Sequence, residues 1–193
     1  MPTKDISTAD QPRMRADARR NYERLLAEAQ AAFLKRGVDT SLDDIAKQAG
    51  VGNATLYRHF PTRESLLETL LRDSFLQLDS RANELMTSAT PGEALVDWFR
   101  AAVVHATTYR GLVNALMDGH RDEASELNTA CHAMQDSGQQ LLARAQRAGA
   151  VRADTSPGEF FTLVAAAAWA TENAPEESAQ LVKVIIDGLR ITP

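Results

Sequence analysis

The sequence predicts an all-α fold, and three observations carry that prediction. Strand signals are sparse: β-branched residues seldom run together, and no two alternating stretches are joined by a two-residue turn. Apolar residues instead recur at helical spacing along most of the chain. Glycines and prolines cluster between the periodic segments, at intervals suited to helices.

Residues 1–12 carry no periodicity and are expected to form a disordered arm. A first helix follows, in which Tyr22, Leu25, Leu26, Ala29, Ala32 and Phe33 make one apolar stripe and Gly37 stands at the C-terminal cap. "TSLDDIAKQAG" (40–50) reads as a helix of barely two turns. Ser41, with Asp44 three residues on, resembles a capping box, and Leu42, Ile45, Ala46 and Ala49 face inward. After the glycine-containing turn at 50–52, a second short helix is predicted over 53–59, with Leu56 and Phe60 inside. Pro61 and Thr62 open a long helix whose leucines 66, 67, 70 and 71 face the interior. Further helices are predicted over 92–108, 110–118, 122–148, 157–173 and 176–191, with breaks near Gly111 and Gly119 among others. The expected organisation is a smaller domain over 13–62 and a larger domain over 63–193.

Two short helices joined by a tight turn and propped between longer ones describe a helix-turn-helix. Stepping from Leu56 at about 100° per residue, Ala54 and Arg58 point away from the core, and Thr55 and Tyr57 flank them. No Asp or Glu occurs from Gly50 to Arg63, so this helix can approach phosphates without repulsion. Asparagine (Asn53) can pair with adenine, arginine (Arg58) with guanine, and a threonine methyl (Thr55) can meet thymine. Charge agrees in sign. The net charge is −5, yet residues 1–63 carry 11 Lys and Arg against 8 Asp and Glu, and the rest carry 10 against 18. A polyanion would meet the front of the chain.

"SLDDIAKQAGVGNATLYRHFPTRESLL" closely resembles the N-terminal DNA-binding region of the TetR family of bacterial transcriptional regulators, over about Arg20 to Leu71. Its anchors are "DDIAKQAGV", "TLYRHF" and "PTRESLL". The resemblance implies that Asn53, Ala54 and Thr55 reach base edges in the major groove, and that Tyr57 and His59 grip phosphate. It further implies that Arg63 keeps a phosphate-binding charge where lysine is usual, and that Thr40 and Ser41 meet the DNA backbone at a helix N-terminus. Two positions depart from the family pattern. Gly52 replaces a common serine cap, and acidic Asp43 limits what the first short helix can read. For His59 a capping or packing role at the helix end is the competing reading.

The last two predicted helices are apolar on more than one side, so they are expected to be buried twice. The TetR resemblance implies a four-helix interface between two copies, assigned to Phe161, Val164, Ala168, Val182, Ile185, Ile186 and Leu189; a thoroughly buried internal pair is the alternative. Helix 92–108 has a second apolar stripe with rings at its ends and alanines between. Trp98, Ala102, His105 and Tyr109, with Met117 and Met134, are therefore candidate walls of a ligand pocket, or else closed core.

Several function classes are set aside. A single cysteine, Cys131, excludes an internal disulfide and fits a reducing cytoplasm. The N-terminus lacks the apolar core of a secretory signal, and no run approaches the roughly 18 apolar residues of a membrane span. No metal, cofactor or catalytic constellation is expected, since the histidines lack ligand spacing and no nucleophile or phosphate-loop motif occurs. The expected partners are a double-stranded DNA operator, a second copy of the chain and a small-molecule effector. The regulator is expected to repress, with an activator or an effector-independent DNA-binding protein as alternatives.

Overall fold

Leu25, Ala29, Ala32 and Phe33, spaced as one stripe in the sequence, are all buried along the inner face of the first helix. The computed structural model describes residues 10–37, 39–117 and 125–190, without side-chain detail for 10–16, 110 and 112–117. Among the described residues there are eight helices and no strand: α1 (Asp10–Arg36), α2 (Leu42–Gln48), α3 (Asn53–His59), α4 (Arg63–Leu85), α5 (Pro91–Met117), α6 (Glu126–Arg147), α7 (Pro157–Asn173) and α8 (Pro175–Leu189). Most of the expected arm over 1–12 lies outside the described residues; α1 is already helical at Asp10.

The chain divides into two units, Met1–Leu70 and Leu71–Pro193. The division falls inside α4, further along the chain than the 62/63 boundary read from the sequence. α4 is thus one continuous helix with residues in both units.

In the first unit, Gly37 takes a positive φ of 84° and its N–H returns to the Phe33 carbonyl, closing α1. The Ser41 hydroxyl accepts from the Asp44 N–H and starts α2. Only this half of the expected capping box forms; the aspartate is one methylene shorter than the glutamate that usually reaches back. Gly50, at φ 67°, turns the chain, and the Val51 N–H bonds the Ala46 carbonyl to end α2. α2 and α3 have seven residues each, too few to persist as isolated helices. Tertiary burial holds them: Ile45, Ala46 and Leu56 are fully enclosed and Phe60 nearly so. Full burial of one such leucine contributes about 1.5–3 kcal/mol.

In the second unit one core joins α4 through α8, with Trp98, Phe99, Phe160, Leu95, Leu141 and Leu142 at its centre. The Trp98 indole N–H donates to the Leu78 carbonyl at 3.0 Å. Gly138 lies so close beneath that ring that an added Cβ would stand 2.6 Å from it. α7 opens with Pro157 at its first position and a full capping box between Ser156 and Glu159. The break expected near Gly111 does not occur, and α5 runs through to Met117. A helical glycine costs only about 1 kcal/mol relative to alanine, which a well-packed 27-residue helix tolerates.

Candidate functional site

α3 presents Asn53, Ala54, Tyr57 and Arg58 outward, with Thr55 half-buried beside them. This phase follows from Leu56, whose burial fixes the helix rotation. Gly52 caps α3 without a side-chain hydrogen bond. Tyr57 is 45% exposed, and its hydroxyl donates to Asp43 Oδ1 at 3.4 Å, a long contact that ties α3 to α2.

Four residues expected at this surface already have structural work. Thr40 is only 8% exposed and its hydroxyl donates to the Gly37 carbonyl, which closes the loop ahead of α2. Ser41 is exposed, with its oxygen engaged in capping α2. Arg63 is half-buried, and its Nη1 donates to the Thr40 carbonyl at 2.7 Å, so at least one of its five donors is committed within the protein. His59 is half-buried. Its ring meets Tyr22 edge-on at 5.5 Å and lies beside Phe60, the packing role that competed with a phosphate contact.

Further along the chain, the residues assigned to an interface between copies pack within their own unit. Val164, Ala168, Ile186 and Leu189 are buried in the core of their own unit, and Phe161 packs edge-on against Trp98. Val182 and Ile185 are half-buried against that same core. Between Phe160 and Thr171 the outward residues of α7 are Thr162, Ala165, Ala166 and Trp169, and those of α8 include Leu181, Lys183, Val184, Asp187 and Gly188. Trp169 and Val184 are each 56% exposed. Their position was readable in principle. Phe160, Val164, Ala167 and Ala168 form an i, i+4, i+7, i+8 stripe, which leaves Trp169 on the opposite side.

The pocket expectation divides. Trp98 is wholly enclosed, its one polar atom is satisfied, and it packs in the core of the unit. Met117 has a side chain outside the described residues. Ala102, His105, Tyr109 and Met134 do line one cavity of about 260 Å³, with Phe75, Leu78 and Phe161 among its other walls. These additional walls come from α4 and α7, which no local pattern in α5 could announce. Burial pushes His105 down to about 4, so its ring is neutral at pH 7. Burial, with the nearby Asp73 charge second, raises the Tyr109 phenol. A larger depression of about 810 Å³ runs along α5, α7 and α8, and its Lys183 and Arg190 already pair with Asp187 and Glu93. Among the described residues no group of three or more His, Cys, Asp or Glu could hold a metal, and no helix is long and apolar enough to cross a membrane.

Comparison with known proteins supplies the context. Residues 25–70 match the family model for bacterial regulatory proteins of the tetR family, and residues 90–191 match that for the C-terminal domain of SbtR-like transcriptional regulators. The chain is similar to a TetR transcription regulatory protein from Mycobacterium vanbaalenii, with 37% identity, a TM-score of 0.73, and coverage of 92% of this chain and 99% of that one. It is also similar to the TetR regulator SCO0520 from Streptomyces coelicolor, at 31% identity, a TM-score of 0.73 and coverage of 89% and 99%. A curated relative, the HTH-type transcriptional repressor KstR2 of Mycolicibacterium smegmatis, is 34% identical over 123 residues, or 63% of this chain. That match spans only 55% of the relative's own length.

Proposed function

The chain belongs to the TetR family of bacterial regulatory proteins, and from that premise we propose that it is a ligand-responsive repressor that binds a pseudo-palindromic operator as a homodimer. The carboxylate-free outward face of α3 carries the reading. Asn53 and Thr55 supply groups that read bases, Arg58 adds a donor fork for guanine, and Tyr57 offers its hydroxyl to phosphate in place of its long contact to Asp43. Ala54 lets the helix approach closely. Ser41, Arg63 and His59 support this face mainly by holding α2, α3 and the start of α4 in place.

The outward faces of α7 and α8, with Trp169, Ala166, Leu181, Val184 and Gly188, join two copies. Small residues beside a large ring allow close helix approach, and the resulting two-fold protein reads a two-fold site. On this reading residues to Leu70 form the DNA-binding unit, and the rest forms the effector and dimerisation unit. A small, largely apolar effector enters the cavity beside His105 and prefers a conformation that no longer fits the operator. α4, common to both units, is the lever. Coupling of about 1–3 kcal/mol would lower operator affinity about 5–150-fold. Repression is the sign proposed, because a dimer on an operator obstructs polymerase and the curated KstR2 relative is named a repressor. The protein acts in the cytoplasm, where the DNA is, and not as an enzyme.

The test is selection of genomic fragments on the immobilised full chain. Recovered fragments should share an inverted repeat, and footprints should cover both halves. Fragments without a common inverted repeat would overturn the reading.

A further inference from the structure

Ser74 on α4 has one hydroxyl proton, and two acceptors compete for it. Its Oγ lies 2.6 Å from the Leu71 carbonyl and 2.8 Å from His105 Nε2. A carbonyl can only accept, so the serine proton goes to Leu71 and the serine oxygen accepts from His105. Nε2 therefore carries the imidazole proton. Burial keeps the ring neutral at pH 7, which leaves Nδ1 as a lone-pair acceptor. Nδ1 has no hydrogen-bond partner among the described residues. Nor is it sealed in: the one buried, unpartnered side-chain polar atom among them is Arg144 Nη1. The ring itself lines the cavity, held between Phe75 at 5.1 Å and Tyr109 at 4.9 Å.

The remaining lining is Phe75, Leu78, Met134, Phe161, Val164 and small alanines, with no charged side chain. An ionised ligand buried there would have no countercharge, and burying a lone charge is prohibitive. The volume of about 260 Å³ is just below the ~300–1,000 Å³ of pockets for drug-sized ligands. A nucleotide or a long coenzyme is too large for it.

We propose that the effector is a small neutral molecule of one or two rings whose hydroxyl or N–H donates a hydrogen bond to His105 Nδ1. The proposal rests on the reading of the chain as a ligand-responsive regulator. It adds a selection rule: a donor is required, and an anion is refused. The bound donor polarises the imidazole and strengthens its Nε2–H bond to Ser74, so the ligand acts directly on α4.

The experiment uses the full chain and three probes: 4-ethylphenol, ethylbenzene, which lacks the donor, and 4-ethylbenzoate, which is an anion. Calorimetry should show 4-ethylphenol binding about tenfold more tightly than ethylbenzene, the worth of one hydrogen bond, and no binding of 4-ethylbenzoate. The imidazole Nδ1 resonance should move on saturation with the phenol. His105→Phe should erase the preference for the phenol, and Ala106→Leu, which fills the cavity, should abolish both affinities in a protein that still melts cooperatively. Three results would overturn the proposal: the benzoate binding as tightly as the phenol, an unmoved Nδ1 resonance at saturation, or no phenol binding to folded protein. Operator binding measured in parallel keeps the two claims apart. Should a different class of compound release the DNA, the selection rule fails and the regulator stands. Should the phenol bind at His105 in a protein that never binds DNA, the regulator fails and the cavity assignment stands.

Discussion

The outward face of α3 and the outward face of α7 are both defined by what they lack. From Gly50 to Arg63 there is no carboxylate, and from Phe160 to Thr171 there is no charge of either sign. The first face is polar and can accept a polyanion without repulsion. The second is a row of Thr162, Ala165, Ala166 and Trp169 that water solvates poorly and a second apolar surface can cover. Both sit on helices whose opposite side is core. An ordinary solvated face carries mixed charges, so a missing charge type indicates the kind of partner.

Charge placed on the second face gives the largest effects and distinguishes interface from core. An uncompensated buried charge costs about 3–5 kcal/mol. Ile186→Arg puts that charge in the core of its own unit, so thermal melts should show a destabilised or unfolded chain. Val184→Arg puts it on the outward face, so the fold should persist while light scattering falls from twice the 21.1 kDa chain mass to that mass. Equal behaviour of the two variants would break the distinction drawn between these neighbouring residues.

The interior of the second unit should respond to acid. His105 is held down to about 4 against an ordinary 6.5, so the unfolded chain binds more protons between these values. Stability is then full above about pH 6.5 and falls as pH drops towards 4, by about 3 kcal/mol in total. Chemical denaturation across that window should show the loss, and His105→Phe should remove this component of it.

Effects on the first face are smaller and of two kinds. Asn53→Ala should change sequence preference by about 1–3 kcal/mol at one position of the site. Tyr57→Phe should weaken binding to all sequences alike, and Arg58→Ala should also flatten the log–log salt dependence by about 0.9 if Arg58 neutralises a phosphate. Anisotropy titrations at several salt concentrations separate these outcomes. The smallest effect is expected at the α3 cap. Gly52→Ser adds a hydroxyl where no atom lies within 4 Å of an added Cβ, and should stabilise by only a few tenths of a kcal/mol in a melt.

The same two faces mark how far the sequence could be read. α3 was legible because Leu56 is its only strongly apolar residue and so sets the helix rotation. α7 between Phe160 and Thr171 is apolar nearly all round and α8 is apolar on more than one side, and such a helix does not announce which side its own domain claims. Val164, Ala168, Ile186 and Leu189 therefore looked as suited to an interface as Trp169 and Val184 do. Trp98 read as a pocket wall because its partner, the Leu78 carbonyl, belongs to another helix and leaves no local trace. Thr40 read as a backbone contact because the Gly37 carbonyl that takes its hydroxyl becomes available only when the loop closes. His105 was singled out in the sequence and lines a cavity, yet its bond to Ser74 crosses from α5 to α4 and leaves no local trace.

The central claim is that the apolar face of α7 and α8 pairs two copies so that two α3 helices read one two-fold site. It is tested most directly by titrating parent and Val184→Arg proteins against a selected site and against the same site with one half scrambled. The account predicts that scrambling greatly weakens the parent, whereas the variant binds both duplexes equally and weakly. A parent protein that binds the intact and half-scrambled sites with the same affinity would contradict it.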